Sequence, residues 1–589
     1  MCFDTPNLFL FYARYAHTQG MKRMLSFLKG YRAQAVLAPL FKLMEAVLEL
    51  LVPLVVADII DHGIPTGDTR YILIRAGILV AIAVVGFAFS ITAQWFSAKT
   101  AVGYSARLKS ALFGTVTSMS YRQIDQMGVS RMLTRMGSDA QQVQNGINMF
   151  LRLLLRSPFV VFGALVMALI VDPSTAWLLA VVIPVLGVIV AGIVLGCLPR
   201  YKAVQEGLDG VTRLASENLS GARVVRAFAV EEEEKAKFER QNRLLMLTQR
   251  VAGHIGALLN PLTYLVVNGG IIALLWVGGL HVDHGSLTQG ETVAIYNYMA
   301  TILVELVKLA NLILTVTRAV ASGRRISQVL AVEPDQTFGV ETEGKEGEYA
   351  VEFEDASLQY VEGAQAAVDK VTLRVKAGET VGVVGSTGSG KTSLLSLLPR
   401  FYDATEGRVL LDGRDVKEYT KESLRSKVHV VAQHAVVFGD TVRGNLLWGD
   451  PDATDEELWQ ALAIAQVDDV VRDKGGLDAL LEEGGRNLSG GQRQRISIAR
   501  ALVGHPRVLI LDDSSSALDN ATDRALREAI ATRTDCTLFV ISQRTTGVRG
   551  ADKILVLDDG QPVGLGTHEG LLDSCQVYRE IFEAQGGAA

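Results

Sequence analysis

Cysteine is scarce in this chain of 589 residues: there are four, Cys2, Cys197, Cys536 and Cys575. They stand far apart without metal-ligand spacing, which argues against a disulfide framework and against a zinc site. An excess of one charge is also missing. With 57 Lys+Arg against 63 Asp+Glu the net charge is −6, which offers nothing to a nucleic acid. The first twenty residues lack a charged start followed by an apolar run and a small-residue cleavage site, so no signal peptide is read there. Apolar residues, by contrast, make up 49%. A chain this long holds two domains or more, and its charged and apolar residues must be segregated along it.

That segregation is visible. Long apolar stretches lie at 33–60, 72–98, 150–171, 174–198, 261–280 and 291–316, each able to cross a ~30 Å hydrocarbon core at ~1.5 Å per residue. The long inter-span segments 99–149 and 199–255 hold sixteen Lys/Arg, whereas the turns at 61–71, 172–173 and 281–290 hold only Arg70. The positive-inside bias therefore puts the long segments and both termini in the cytoplasm. Residues 1–20 read as an N-terminal extension, and "MKRMLSFLKGYRAQ" from Met21 as a basic amphipathic stretch at the inner membrane interface. A membrane domain is expected over 21–332, a charged linker over 333–348 and a soluble domain over 349–589.

Charge inside a span is costly, about 2.5–3.5 kcal/mol at its centre, and faces protein or water. Lys42, Glu45 and Glu49 share one face of the first span, and Glu305 and Lys308 are close on the sixth. Lys42 can pair with Glu45, and Glu305 with Lys308, within one helix. Glu49 has no such local partner, which points to a water-filled cavity lined by Glu45, Glu49 and Glu305. Arg152 and Arg156 are expected to snorkel or to sit in a cytoplasmic extension of the third span.

The soluble part alternates β-rich runs with helical ones, as an α/β fold with a largely parallel sheet would. In it, "GSTGSGKTS" (Gly385, Ser386, Thr387, Gly388, Ser389, Gly390, Lys391, Thr392, Ser393) follows the strand "ETVGVV" and opens a helix. Glycines let the backbone amides face phosphate, Lys391 reaches the β/γ-phosphates and Thr392 can ligate Mg²⁺. The apolar strand "RVLILDD" ends in Asp512, a second Mg²⁺ ligand. Between them stands "RNLSGGQRQRISIARAL", with Leu488, Ser489, Gly490, Gly491 and Gln492 opening a helix.

This last element resembles the signature of ATP-binding-cassette (ABC) ATPases, and the resemblance extends over nearly the whole chain. Six spans followed by one cassette is the layout of an ABC exporter half-transporter, which implies an α-helical membrane domain of six transmembrane helices plus an α/β P-loop NTPase cassette. It implies ATP and Mg²⁺ as cofactors and a dimer with two ATPs sandwiched between cassettes. Tyr360 resembles the aromatic that stacks on adenine, and Gln433 the glutamine that senses Mg²⁺ and the transmembrane domain. "SALD", ending at Asp519, resembles the loop through which the two sites communicate. "YRQID" (Tyr121–Asp125) and "ENLSGARVVRAF" (Glu217–Phe228) fall at the family's coupling helices.

Two positions depart from that pattern. Where the family has a Glu that polarises the attacking water, this chain has Asp513, shorter in reach by roughly 1.5 Å. Where it has a His at the γ-phosphate, this chain has Gln543, which can donate a hydrogen bond but cannot carry charge. An intact signature beside a weakened hydrolytic half resembles the degenerate-site subunit of a heterodimeric bacterial exporter. Its expected partner is a second half-transporter with the Glu and His in place. The membrane is expected to be the bacterial plasma membrane, and the substrate a small amphipathic compound, drug-like or lipid. Siderophore import, lipid flipping and a regulatory role without transport stay open at this point.

Overall fold

The computed structural model describes residues 23–586, apart from 25, 346, 362, 515–517 and 532–535. The N-terminal extension and Ser516 and Ala517 of the "SALD" loop lie outside the described residues. The chain forms two compact units. One comprises the described residues up to 117 and within 129–333, the other those within 118–128 and from 334 on.

The first unit is helical. Among the described residues, five stretches are long and apolar enough to cross a membrane: Thr69–Ser118, Val129–Val171, Pro173–Ser220, Glu231–Asp283 and Gln289–Leu330. The first span of the sequence reading is the helix Arg32–Asp58, 27 residues long, whose apolar run is interrupted by Lys42, Glu45 and Glu49. Its Pro53 lacks an N–H to give to the preceding turn. Close by, the carbonyl of Leu50 accepts from the phenol of Tyr298, 2.8 Å away on the last helix. The helices run well past the apolar windows. Thr69–Ser118 has 50 residues, because its apolar run is followed by a polar, charged continuation with no proline or cap to stop it. Of the basic stretch that begins at Met21, Lys29–Tyr31 is a single 3-10 turn. Met24 is buried, and Arg23 donates to the carbonyl of Leu330.

The charged residues of this unit join in a network that corrects two expectations. Lys42–Glu45 and Lys308–Glu305 form as local pairs at 2.5 and 2.8 Å. Arg156, however, does not snorkel: it is buried, and its guanidinium reaches Glu49 and Glu305, each at 2.5 Å. Ser157 adds a hydroxyl to Glu305 at 2.8 Å. Glu49 thus has a partner, on a helix remote in sequence, because a carboxylate held among apolar helices needs a cation wherever the fold can bring one.

Among the described residues the second unit is built on ten strands: β1 (Val351–Leu358), β2 (Val368–Val375), β3 (Thr380–Gly385), β4 (Glu406–Leu411), β5 (Arg414–Asp415), β6 (Val428–Val431), β7 (Val508–Asp512), β8 (Thr537–Ile541), β9 (Lys553–Asp558) and β10 (Gln561–Gly566). A four-stranded sheet runs β2-β1-β4-β5, and a six-stranded one runs β10-β9-β3-β8-β7-β6. The pairs β9/β3, β3/β8, β8/β7 and β7/β6 are parallel. Every residue of β7 and β8 is buried, which is why both read as unbroken apolar runs. Ser118–Gly128 belongs to this unit. Its short helix Tyr121–Met127 is started by a capping box in which Ser120 and Gln123 satisfy each other's backbone N–H.

Candidate nucleotide site

Sheet order explains why residues far apart in sequence share one place. Four neighbouring strands, β3, β8, β7 and β6, run the same way, so their carboxyl ends lie side by side. From those ends emerge the Gly385–Ser393 loop, Gln543, the pair Asp512–Asp513, and Gln433.

The loop needs its glycines for stated reasons. A Cβ on Gly385 would meet the carbonyl of Leu557 at 2.2 Å, and Gly390 has φ +92° with the carbonyl of Ala367 at 2.2 Å from its would-be Cβ. The backbone can therefore curl tightly ahead of the helix that opens at Lys391. Ser386, Thr387 and Gly388 form the exposed rim, and Ser389 is buried beneath it. Lys391 is folded back over the loop, its Nζ donating to the carbonyls of Gly385 (2.9 Å) and Ser386 (2.6 Å). Burial holds its ammonium below the usual lysine range, while Asp513 and Asp512 oppose that shift. It also reaches the Ser389 hydroxyl at 3.3 Å, and an ammonium at once desolvated and tethered to neutral oxygens gains from the approach of an anion such as phosphate.

Beside it, Thr392 Oγ1 lies 3.0 Å from both carboxylate oxygens of Asp512. Burial raises the Asp512 carboxyl above its usual range, and the charge of Asp513 adds to the rise. A hydroxyl and a carboxylate converging with no nitrogen or sulfur ligand suit a hard cation, and Mg²⁺ fits this donor set. When bound it would neutralise phosphate charge. Thr392 and Asp512 are the residues that would hold it, and Gln433 is bonded to the next residue, Asp513.

Asp513 itself sits at φ +46°, unusual for a side-chain-bearing residue. Its backbone N–H donates to the carbonyl of Ile541 at 3.0 Å. Its Oδ2 accepts from Gln433 Nε2 at 3.1 Å and from Gln543 Nε2 at 3.3 Å. The two positions that depart from the hydrolytic pattern are thus in contact with each other. Gln543 is held in turn by Gln585, whose amide donates to the Gln543 carbonyl at 2.7 Å and accepts from the Thr545 N–H at 2.9 Å.

The remaining candidates fall into two groups. Tyr360 is 40% exposed, with its hydroxyl 2.9 Å from Ser393 Oγ of the loop. Ser489 caps the helix Gly490–Val503 in a capping box with Gln492. Leu488 is buried, Gln492 and Gly491 are half-buried, and Ser489 and Gly490 are exposed. A side chain added at Gly490 would meet nothing within 4 Å. The Ser489 hydroxyl accepts from the Gln492 N–H, and the Gln492 side chain accepts from the Ser489 N–H.

Sequence reading did not single out Gln585, Tyr402 or the bridging role of Arg156. For Arg156 a signal existed. Two lysines cannot neutralise three carboxylates, so a third cation had to come from another span. For Gln585, and for Tyr402, whose hydroxyl donates to the carboxylate of Asp125, none did, since only the fold brings their partners near.

A P-loop, a Mg²⁺-type hydroxyl–carboxylate pair and a signature helix on one α/β unit, carried by a chain of membrane-length helices, define an ATPase cassette joined to a multi-pass membrane protein. Family models agree. Residues 36–306 match the ABC transporter transmembrane region, and residues 368–516 match the ABC transporter ATPase. The chain belongs to the ABC transporter family. It is 36% identical to the uncharacterized ABC transporter ATP-binding protein YfiB of Bacillus subtilis over 572 residues, 96% of this chain and 99% of that protein. It is 32% identical to a multidrug efflux ATP-binding/permease protein of Mycobacterium bovis, covering 95% of this chain and 47% of that longer one. Its fold is that of a bacterial Atm1-family ABC exporter solved with ATP bound, with a TM-score of 0.77 at 21% identity over 95% of this chain and 99% of the other.

Proposed function

We propose that this chain is one half of a heterodimeric ABC exporter of the bacterial plasma membrane, with termini and cassette cytoplasmic, moving amphipathic compounds at the expense of MgATP. Its own site binds ATP and hydrolyses it poorly, and its signature completes the hydrolytic site of a partner half-transporter. The observation that carries this reading is the state of Asp513. Its carboxylate is one methylene short, and its Oδ2 already accepts from Gln433 and Gln543, so fewer lone pairs remain to orient a water. A general base must come within ~2.6–3.2 Å of its proton.

Two further observations support a second subunit. Ser489 and Gly490 are exposed and open, as residues that meet another chain's phosphates must be. In the segment Glu217–Phe228, Leu219, Val224 and Phe228 are 80%, 59% and 76% exposed, an apolar surface that a second cassette would cover. For the substrate, the multidrug efflux relative supports an amphipathic compound. Glu49, with 42% of its side chain exposed against 18% for Glu45 and 1% for Glu305, is the acidic group a lipophilic cation would meet.

The test is steady-state phosphate release from the purified full chain, alone and with the co-expressed partner. The chain alone is expected to bind ATP and turn it over slowly, and the pair to turn it over fast. Robust turnover by this chain as a homodimer would overturn the reading.

A further inference from the structure

Helices of the first unit and the stretch before Arg32 enclose a cavity of about 520 Å³, within the range of about 300–1,000 Å³ usual for small-molecule sites. Its walls are largely apolar: Met24 and Leu28 come from that stretch, Ile147 and Phe150 from the helix Ala140–Leu153, and Val320 from the helix Gln289–Leu330, with Tyr104 of Thr69–Ser118 at one side. The last two helices cannot close it by moving together, because a Cβ on Gly146 would already lie 2.2 Å from the Cβ of Ala319. Such a lining gives a water few partners and suits a hydrocarbon tail. Phe150 and Val320 are exposed, so a tail can enter from the surface of the unit. Phe150 and Val316 stand at the ends of the apolar windows 150–171 and 291–316, and Gly146 and Val320 lie a turn beyond. That depth is the membrane–water boundary, where the apolar body and the polar head of an amphiphile separate.

The rim of the cavity is cationic. Between Met21 and Pro39 the sequence has Lys22, Arg23, Lys29 and Arg32 and no acidic residue. Arg107, one turn beyond Tyr104 on the same helix, is exposed and lies over the Tyr31 ring at 4.8 Å. Phe27 meets Tyr104 edge to face with centroids 6.2 Å apart, which fixes the stretch against that helix beside the cavity. Among the described residues, the guanidinium groups of Arg23 and Arg107 bond to the carbonyls of Leu330 and Phe27, and a carbonyl does not neutralise a charge. Asp139, just before the helix Ala140–Leu153, is already paired with Arg325 at 2.5 Å. We propose that this cavity binds one anionic phospholipid, with a tail among Ile147, Phe150 and Val320 and the headgroup phosphate on Arg107. Arg23, Lys29 and Arg32 add to the attracting field. The inference is independent of the nucleotide site and of a second subunit, and needs only that these helices cross a membrane. A lipophilic cation is repelled by the same rim, so the cavity is distinct from the acidic surface at Glu49.

The experiment is photolabelling of the full chain in lipid nanodiscs. A diazirine-tailed phosphatidylglycerol or phosphatidylcholine is added as a minor component, and labelled peptides are mapped by mass spectrometry. In the unaltered chain, phosphatidylglycerol is expected to label 143–151 and 316–323 at least about tenfold more than phosphatidylcholine, since each nearby cation contributes roughly fivefold. Arg107→Gln should cut the phosphatidylglycerol label about fivefold and leave the phosphatidylcholine label unchanged, which a merely loosened fold would not do. Val320→Trp, at an exposed lining position, should lower labelling of 143–151 by both lipids. If Arg107→Gln fails to fold, Lys29→Gln combined with Arg32→Gln, both exposed, takes its place with the same expectation. Equal labelling by the two lipids in the unaltered chain, an unchanged preference in the cation variant, or undiminished labelling in Val320→Trp would each overturn the proposal. Displacement of the phosphatidylglycerol label by rhodamine 6G would overturn it too, and would assign the cavity to a transported compound.

Discussion

Arg156 and Glu305, 149 residues apart in sequence, meet at 2.5 Å in the helical unit with both side chains buried. Removing one partner of such a pair leaves the other charge uncompensated, which typically costs about 3–5 kcal/mol, whereas removing both together costs much less. Arg156→Met is therefore expected to lower the thermal unfolding midpoint in detergent sharply. Arg156→Met combined with Glu305→Gln should recover part of the loss, because the more exposed Glu49 and Lys308 are then left without these partners. Additive losses in the double variant would mean that the contact does not hold the helices Arg156–Val171 and Gln289–Leu330 together.

Restoring the missing hydrolytic groups should give activity rather than take it away. A misplacement of ~1 Å can cost about a hundredfold in rate. Asp513→Glu with Gln543→His is thus expected to raise phosphate release by the chain purified alone by at least about tenfold. No gain would show that Asp513 and Gln543 are not what limits hydrolysis.

The two halves of the cassette should differ in what their loss costs. In the co-expressed complex, Ser489→Ala or Gly490→Asp is expected to depress phosphate release by roughly a hundred- to a thousandfold, the usual price of one transition-state donor. Asp513→Asn should cost far less. If Asp513→Asn proves the most damaging of the three at saturating ATP, this cassette hydrolyses its own nucleotide.

Gln585 pins the loop after β8 through the Gln543 carbonyl and the Thr545 N–H and hydroxyl. Each such bond is worth about 1 kcal/mol. Gln585→Ala should accordingly speed amide exchange over 543–547 by about tenfold or more while leaving Gly385–Ser393 unaffected. Equal exchange in both proteins would remove Gln585 from the site.

His429, on β6, bonds through Nδ1 to the Ala501 carbonyl at 2.6 Å. Burial holds its folded value below the ordinary 6.5, and the bond to Ala501 opposes that shift only in part. The unfolded chain therefore takes up a proton first. The stability the neutral ring contributes is complete above the ordinary value and is lost as pH falls from there toward the depressed one. Unfolding midpoints of the full chain should drop between about pH 7.5 and about pH 5.5. In His429→Gln, whose amide can still donate to Ala501, that drop should be smaller. An identical profile would exclude His429 as the titrating group.

How much of this was legible beforehand depends on range. The P-loop, Asp512 and the signature helix are short-range features whose spacing is their geometry, and each stands where its motif put it. The local pairs Lys42–Glu45 and Glu305–Lys308 were readable because helical spacing fixes them. Arg156 was misread because its sequence neighbourhood near the end of a span looks like a snorkelling site, and only the packing of three helices shows that it is buried. The contact of Gln433 and Gln543 with Asp513 follows from strand order, which no local signal encodes. Helix ends were not legible, because an apolar window ends where the membrane does, while the hydrogen-bonded ladder continues as long as the residues tolerate it.

The membership of Ser118–Gly128 in the second unit carries a consequence for biogenesis. Asp125 leaves the ribosome 277 residues ahead of Tyr402, its hydrogen-bond partner. At synthesis rates of about 5–20 residues per second that delay is roughly 14–55 s. During it the helix Tyr121–Met127 has no cassette to dock on, and Tyr121 waits without Phe401, on whose ring it packs with centroids 4.6 Å apart. The cassette, emerging last, then needs a peptide already inserted in the membrane-bound part of the chain to cover its Phe401–Tyr402 face. Quality control of a misassembled chain would thus have a natural target in that uncovered aromatic pair, and release of the finished protein would depend on its being hidden.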